Sequence, residues 1–305
     1  MMPREAEDEI AVTVCICTFR RPSLLIAVQS VATQVLPPHV SLRILVIDND
    51  ATPSALPLVE TCRAETSVPI GYRHAPGRNI SVARNAALED ASTPWIAFLD
   101  DDEYAAPNWL GALIAARRGA NAVFGPCEAI YRDGTPAWIR AGDYHSNRIA
   151  LRKGRIDTGY TSNVLIDMGF VRSQGLRFDL ALGRTGGEDT MFFHRMYRKG
   201  GMLTYANDAI VYEDVVPSRI NLVWIARRRL RAGQVYAKMF HDLDGPAYRR
   251  ATWTSLFKIA ACAAMSAASA YQPSRAMWWL MRGTFHIGML SYVIGLGIHQ
   301  EYASG

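Results

Sequence analysis

Short apolar runs alternate with longer amphipathic stretches along the first 130 residues. Such runs, rich in Val and Ile and bounded by polar residues, are typical of strands buried on both faces. They predict strands at residues 10–19, 42–50, 94–102 and 121–130. Apolar residues at helical spacing predict helices that begin near Pro22 and helices within residues 79–91 and 108–119. Alternating strands and helices predict an α/β fold with a largely parallel sheet.

The pattern is looser after residue 150. Residues 158–170 predict another strand, and residues 186–201 predict a short helix that opens with two glycines and the acidic pair Glu188-Asp189. Acidic side chains are favoured at a helix N-terminus by capping and by the helix dipole. We therefore assign residues 1–218 to one α/β domain.

Residues 219–305 form a second predicted region, with a different pattern. Residues 221–240 predict a basic amphipathic helix, and two uncharged runs follow at 259–274 and 283–300. Both runs are shorter than the roughly 20 apolar residues of a membrane-spanning helix. Two interpretations stay open, which are an ordinary buried helix pair and helices that lie in a membrane interface.

Charge separates nearly the same two regions. The net charge of +5 combines −3 for residues 1–214 with +8 for residues 215–305. Because these cations adjoin apolar helices and not exposed aromatics on a sheet, they favour a membrane surface over nucleic acid. The arginines at 227, 228, 229 and 231 are either a solvated face or contacts for anionic head groups or a diphosphate.

The cysteines and the N-terminus indicate the compartment. Five cysteines without a CxxC pair argue against both a disulfide framework and a zinc site. The first ten residues are polar and acidic, unlike a signal peptide. We therefore expect a cytoplasmic protein. The scattered histidines His74, His145 and His194 show no ligand spacing and are expected in loops or at the surface.

Polar side chains follow three of the predicted strands where each strand ends. These positions are Thr18-Phe19-Arg20, Asp48-Asn49-Asp50 and Asp100-Asp101-Asp102. The carboxyl ends of parallel strands meet at one edge of a sheet, where ligands bind. Asp100 and Asp102 point the same way along an extended segment. Oxygen ligands on a rigid strand suit Mg²⁺ or Mn²⁺, although acid/base chemistry or a solvated loop are alternatives.

As a set, these segments resemble glycosyltransferase family 2, the inverting GT-A enzymes that use nucleotide-diphosphate sugars. The matching segments are "VCICTFRRPSL", "LVIDNDATPSA", "NISVARNAALEDASTPWIAFLDDDE" and "GGEDTMFF". "GDYHS", "TGYTSN" and "RRRLRAGQ" are similar to succinoglycan-type exopolysaccharide β-1,4-glucosyltransferases, so the resemblance covers nearly the whole chain. It implies a GT-A, Rossmann-like sheet and transfer of a hexose, with UDP-glucose as the favoured donor.

The resemblance also implies roles for the residues that border the nucleotide. Thr18, Arg20 and Pro22 match the family's first strand and loop beside the nucleotide. Asp48 and Asn49 match the acidic pair that reads the base and ribose, and Asn49 stands where the family often has Asp.

Further matches concern the diphosphate and the metal. Arg84 matches the basic residue near the diphosphate. Asp100 and Asp102 match the Asp-x-Asp motif that positions the ribose and the divalent cation, and Asp101 between them belongs to the same nucleotide-binding group.

The remaining matches concern catalysis. Asp189 matches the catalytic base and Glu188 lies beside it, while Tyr212 stands where relatives often have His. One base without an enzyme nucleophile implies a single displacement with inversion. Trp138 is a candidate border of the acceptor cleft.

The resemblance implies a partner and a place as well. The acceptor would be a saccharide linked to a polyprenyl-diphosphate lipid, at the cytoplasmic face of a bacterial inner membrane, with peripheral or monotopic attachment. Alternatives are a non-catalytic sugar-nucleotide-binding module and an enzyme that builds a different cell-envelope glycan. A haloacid-type phosphatase is disfavoured, because "DDDEY" lacks the Thr or Val that should follow the nucleophile.

Overall fold

The computed structural model describes residues 9–149, 151, 154–243 and 245–296 of the 305 residues. The chain forms two compact units, each assembled from three chain segments. Unit 1 comprises Met1–Glu128, Asn147–Gly183 and Phe192–Glu213, and unit 2 comprises Ala129–Ser146, Arg184–Met191 and Asp214–Gly305. The functional boundary expected after residue 218 stays a prediction.

The strands and helices follow one another along the chain. The strands are β1 (Ile10–Thr18), β2 (Val40–Asp48), β3 (Ile70–His74), β4 (Trp95–Asp100), β5 (Glu103–Ala105), β6 (Ala122–Phe124), β7 (Cys127–Ile130), β8 (Asn163–Asp167), β9 (Leu203–Tyr205) and β10 (Val211–Asp214). The helices are α1 (Leu24–Ala32), α2 (Leu56–Glu65), α3 (Ile80–Asp90), α4 (Trp109–Ala115), α5 (Ala137–Gly142), α6 (Met168–Ser173), α7 (Glu188–Arg198), α8 (Leu222–Leu243), α9 (Gly245–Ala268) and α10 (Pro273–Val293).

A seven-stranded sheet with the order β3-β2-β1-β4-β8-β6-β9 lies at the centre of unit 1. Four of its six neighbouring pairs are parallel, and β8 runs antiparallel to both β4 and β6. The prediction of an α/β fold with a mostly parallel sheet is confirmed.

Helices cover both faces of this sheet, which explains why β1 is apolar at nearly every position. Successive side chains of a strand point to opposite faces. Val14 and Ile16 belong to one buried cluster, together with Trp109 of α4. Cys15 belongs to a second cluster on the other face, together with Phe192 of α7. A strand buried on both sides needs apolar residues at odd and even positions alike.

The single strand predicted for residues 121–130 is wrong, because the chain leaves the main sheet midway. β6 belongs to the seven-stranded sheet, whereas β7 belongs to a three-stranded sheet with the order β5-β10-β7. The break falls at Gly125-Pro126. A Cβ at Gly125 would lie 2.1 Å from the carbonyl oxygen of Ala209, so the turn requires glycine. The apolar segment 158–170 likewise divides, into β8 and α6.

In unit 2, α10 packs against both α8 and α9. Glycines bring α8 and α10 unusually close. A Cβ at Gly233 would lie 2.0 Å from the carbonyl oxygen of Phe285, and a Cβ at Gly288 would lie 2.0 Å from that of Leu230. Among the described residues, no helix is both long enough and apolar enough to span a bilayer. Residues 297–300 of the second uncharged run lie outside the described part of the chain.

Candidate active site

The carboxyl ends of β1, β2 and β4 lie side by side in the main sheet. The strand register pairs Thr18 with Asp48, and Cys17 with Asp100. Pro22 lies in the turn that leads from β1 to α1, where its carbonyl oxygen accepts a hydrogen bond from the amide of Leu25 at 3.3 Å. Three polar segments predicted from separate parts of the sequence therefore meet at one sheet edge.

Asp101 ties two of these segments together. Its carboxylate accepts hydrogen bonds from the Thr18 hydroxyl at 2.7 Å and from the Phe19 amide at 3.4 Å. The side chain is buried, and burial raises the pKa of Asp101 to about 6. The loop after β1 is thus fastened to the end of β4.

Asp100 and Asp102 flank Asp101 and are more open to solvent, with 42% and 25% of their side chains exposed. Arg84 Nη2 lies 3.7 Å from Asp100 Oδ1, and Arg21 Nη1 lies 3.3 Å from Asp102 Oδ2. Accessible carboxylate oxygens on a rigid strand end are the donor set that Mg²⁺ and Mn²⁺ prefer. The residues present therefore fit a divalent cation.

Further arginines lie on the loop after β1 and on the loop before α3. Arg20 donates from Nε to Asp50 Oδ2 at 2.7 Å, and this hydrogen bond lowers the pKa of Asp50 to about 2. The guanidinium groups of Arg20 and Arg78 lie 5.4 and 5.8 Å from the Phe19 ring. The sequence analysis did not single out Arg21 or Arg78, although Arg21 lies in the matching segment "VCICTFRRPSL" and Arg78 directly precedes the segment that begins "NISVARNA".

Asp48 and Asn49 are buried, and their side chains hold neighbouring loops. Asp48 accepts hydrogen bonds from the amide of Ala55 at 2.8 Å and from the hydroxyl of Tyr72 at 2.9 Å. The side-chain oxygen of Asn49 accepts from the amide of Asn79 at 2.6 Å. Contact of either side chain with a base or ribose stays a prediction.

Glu188 and Asp189 belong to unit 2 and open α7. Gly187, just before them, has φ +90°, and a Cβ there would lie 2.5 Å from Val235 Cγ1. Glu188 is buried, whereas Asp189 is half-buried and accepts a hydrogen bond from the Thr190 amide at 2.6 Å. The positive end of the helix dipole favours carboxylates at this position.

An aromatic cluster around His145 in unit 2 was missed from sequence. His145 lies in the loop after α5, as expected, but it is only 1% exposed and is therefore buried. Its ring stacks on Trp224 at 5.0 Å and 12°. Nε2 lies 3.0 Å from the carbonyl oxygen of Arg219 and so donates to it, which leaves Nδ1 to accept from the Tyr131 hydroxyl at 3.0 Å. Burial lowers the pKa of His145. His194, in unit 1, lies in α7 and is buried, so the expectation of a loop or surface position is wrong for this histidine.

The arginines of α8 only partly form a solvated face. Arg227 is exposed, while the others in the run are half-buried. Arg228 lies 5.3 Å from the Trp224 ring, and Arg229 lies 5.7 Å from the Tyr144 ring. The ring of Trp138 also packs on Tyr144, at 5.7 Å. Guanidinium groups over aromatic faces gain cation–π attraction, so these side chains contribute to the packing of unit 2.

Comparisons with known proteins agree with this geometry. A model of the family described as "Glycosyl transferase family 2" matches residues 13–175, just over half of the chain. A protein from Rhizobium meliloti (strain 1021), named "Succinoglycan biosynthesis protein ExoM", is 38% identical over 307 residues. That alignment covers 99% of this chain and 98% of the relative.

Solved structures share the fold at low sequence identity. The mannosyltransferase PcManGT from Pyrobaculum calidifontis, in complex with GDP-Man and Mn2+, has a TM-score of 0.62 at 16% identity, covering 93% of this chain and 86% of that chain. S. aureus TarS 1-349 in complex with UDP has a TM-score of 0.52 at 17% identity, with coverages of 94% and 92%. The chain spans 55% of a longer TarS structure.

These likenesses and the acidic sheet edge lead to one assignment. The family model covers more than half of the chain, and the succinoglycan relative is similar across nearly all of it. The resemblance inferred from the sequence motifs is confirmed, and the GT-A likeness of the fold agrees with it. The chain therefore belongs to glycosyl transferase family 2 and is a glycosyltransferase.

Proposed function

We propose that this enzyme moves a hexose, with glucose favoured, from a nucleotide-diphosphate sugar to a lipid-linked saccharide in exopolysaccharide synthesis. The use of a nucleotide-diphosphate sugar is supported by two accessible carboxylates, Asp100 and Asp102, at the ends of the central strands. Each has an arginine within 4 Å, Arg84 for Asp100 and Arg21 for Asp102. The name of the succinoglycan relative supports a role in exopolysaccharide synthesis.

The donor diphosphate carries concentrated negative charge, which grows as the sugar departs. We assign Arg84, Arg20 and the newly found Arg21 and Arg78 to that charge, because fixed cations stabilise a leaving group most when they are already in place. Thr18, Pro22, Asp48, Asn49 and Asp101 would border the nucleotide or hold its loops in position. Asp100 and Asp102 would hold Mg²⁺ or Mn²⁺, which supplies Lewis-acid stabilisation of the diphosphate when bound.

The acceptor hydroxyl is a poor nucleophile until a base removes its proton. We assign that task to Asp189 and a supporting role to neighbouring Glu188. Proton removal by a positioned carboxylate contributes typically about 10²–10⁴-fold to the rate. Direct attack by the acceptor, without an enzyme-bound sugar, would invert the anomeric centre.

We further propose that residues 219–305 attach the enzyme to a membrane surface that displays a polyprenyl-diphosphate acceptor. Trp253 and Phe257 of α9 are 75% and 77% exposed, and Leu256 between them is 52% exposed. These positions share one helix face, and large exposed apolar faces mark interaction sites. Residues 245–300 contain five Lys or Arg and no acidic residue, a balance that suits an anionic surface.

The donor and cation proposals are tested by a screen with detergent-solubilised full-length protein. UDP-, GDP- and dTDP-sugars would each be offered with Mg²⁺, with Mn²⁺ or with chelator, and with a bacterial lipid extract as acceptor. We expect turnover of a UDP-hexose, glucose foremost, that chelator abolishes. Equal turnover in chelator contradicts the cation site, and preference for another donor contradicts UDP-glucose.

The membrane proposal is tested separately by co-sedimentation with anionic vesicles at increasing salt. We expect binding that salt releases only partly, because apolar burial and charge attraction combine. Replacing Trp253 and Phe257 by Ser should weaken binding, while the control pair Val35→Ser and Met202→Ser, also exposed but in unit 1, should not. Wild-type protein that stays in the supernatant at low salt contradicts the proposal.

A further inference from the structure

Two glutamates face each other inside the three-stranded sheet formed by β5, β10 and β7. Glu103 of β5 stands opposite Glu213 of β10 in the antiparallel register, and the two residues are only 4% and 8% exposed. Cys127 begins β7, which neighbours β10, and it is fully buried. One ligand atom from each of the three residues lies within 4.8 Å of the other two. The sequence separates them by 24 and 86 positions.

This arrangement is electrostatically costly without a cation. Glu103 and Glu213 are both buried, and two carboxylates this close repel each other when both are ionised. The Cys127 thiol donates a hydrogen bond to Glu103. The other carboxylate oxygen of Glu103, Oε2, is buried and has no hydrogen-bond partner among the described residues. A buried polar atom without a partner costs roughly 1–3 kcal/mol.

We propose that Glu103, Cys127 and Glu213 bind a divalent transition-metal ion of the zinc type. A thiolate with two carboxylates is a donor set for Zn²⁺ and not for Mg²⁺, which takes oxygen ligands. Ligand bonds of about 2.0–2.3 Å place tetrahedral ligand atoms about 3.3–3.8 Å apart. The ligand atoms of the three residues would therefore have to approach one another by at most about 1.5 Å. Binding of the metal ion releases the thiol proton of Cys127, and any proton held by the two carboxyl groups, to solvent.

Such an ion would hold strands together, with a water molecule in its fourth tetrahedral position, and would be separate from the catalytic cation. It would link β5, β10 and β7, and β5 begins immediately after Asp102. Cross-linking the three strands would fix the position from which the Asp100 and Asp102 carboxylates project. The expectation that the chain has no zinc site rests on CxxC spacing, which cannot detect ligands brought together only by the fold.

The experiment uses Co²⁺ as a spectroscopic probe on the full-length protein after chelator treatment. We expect one equivalent of Co²⁺ to produce the charge-transfer absorption that a thiolate ligand causes. The Asp100 and Asp102 site contains no sulfur, so this band reports on the proposed site alone. Cys127→Ser should abolish the band. Cys62→Ser, which also replaces a buried cysteine of unit 1, should retain it. No band in the wild type, or a band retained in Cys127→Ser, overturns the proposal.

A second variant covers the case in which Cys127→Ser does not fold. Glu213→Gln keeps the size of the side chain and removes a ligand charge. We expect its affinity for Co²⁺ in the band titration to fall at least about tenfold. Addition of Zn²⁺ should raise the thermal midpoint of chelator-treated wild type more than that of Glu213→Gln, since binding to the native state alone stabilises it. Unchanged Co²⁺ affinity in Glu213→Gln overturns the proposal.

Discussion

The acidic sheet edge of unit 1 and the helices of unit 2 differ in the side chains that they expose. In unit 1, polar side chains at the strand ends are fixed to one another, as Thr18 is to Asp101 and Arg20 is to Asp50. In unit 2, cations lie over aromatic rings, as Arg228 does over Trp224, and α9 leaves large apolar side chains in solvent. A sheet can hold charges rigidly for chemistry, whereas packed helices offer surface for attachment. Substitutions at the sheet edge and on the exposed face of α9 should therefore fail in different assays.

The largest effect should come from Asp102→Asn in unit 1, which removes one charge without changing shape. We expect the transfer rate to fall by roughly 10²–10³-fold or more, and nucleotide binding should lose its dependence on Mn²⁺. The measurements are kcat with the preferred donor and calorimetric UDP binding with and without Mn²⁺. Asp208→Asn, at an exposed position of the same unit, is the control. Unchanged Mn²⁺-dependent binding in Asp102→Asn would remove Asp102 from the metal site.

Asp189→Asn in unit 2 should separate chemistry from binding. We expect kcat to fall by about 10²–10⁴-fold because the base is lost, with UDP affinity within a few-fold of wild type. Glu188→Gln is the matched comparison, since the two carboxylates are adjacent on α7. A larger loss of kcat in Glu188→Gln than in Asp189→Asn would reverse the assignment of the base.

A loss of stability in mild acid should arise from unit 2. Burial, together with the charges of Lys258 and Arg282, lowers the pKa of His286 to about 4. The unfolded chain takes up this proton near pH 6.5, so the native state should lose about 2–3 kcal/mol as the pH falls from 6.5 to 4. The measurement is denaturant unfolding across that range. His286→Gln should flatten this dependence, and an equally steep loss in the variant would exclude His286 as its origin.

The close contact between α8 and α10 gives the smallest predicted effect. Gly288→Ala would force a methyl group to within 2.0 Å of the carbonyl oxygen of Leu230, so we expect destabilisation of about 1–3 kcal/mol. Gly111→Ala on α4 is the control, because its methyl group would meet only a carbonyl oxygen at 3.8 Å. Thermal unfolding compares the two variants. Equal midpoints for wild type and Gly288→Ala would show that the helices separate easily.

The main sheet and its acidic edge could be predicted from sequence because buried strands have a recognisable pattern of residues. A short apolar run such as β1, rich in β-branched residues and followed at once by polar ones, is typical of a buried strand. The adjacency of Thr18, Asp48 and Asp100 then follows from the parallel arrangement of their strands. At these positions the local sequence pattern and the strand order of the finished sheet predict the same structure.

Other features depend on tertiary contacts that no local pattern carries. Residues 121–130 are apolar throughout most of their length, and only the approach of Ala209 to Gly125 shows why the strand must break. His145 gives no sign of burial until Trp224 and Tyr131 surround it. Glu103, Cys127 and Glu213 come together only when β5, β7 and β10 form one sheet.

The interleaved segments of the two units have a consequence for synthesis on the ribosome. Unit 1 cannot be completed until β10 has emerged, near residue 213, although β1 to β4 emerge within the first 100 residues. Until β8 arrives at residues 163–167, the edge of β4 lacks the neighbour it has in the finished sheet. Unpaired edges of nascent strands are sites of misassembly and chaperone binding. A nascent chain halted between residues 100 and 160 should therefore be the form of this protein that most depends on chaperones.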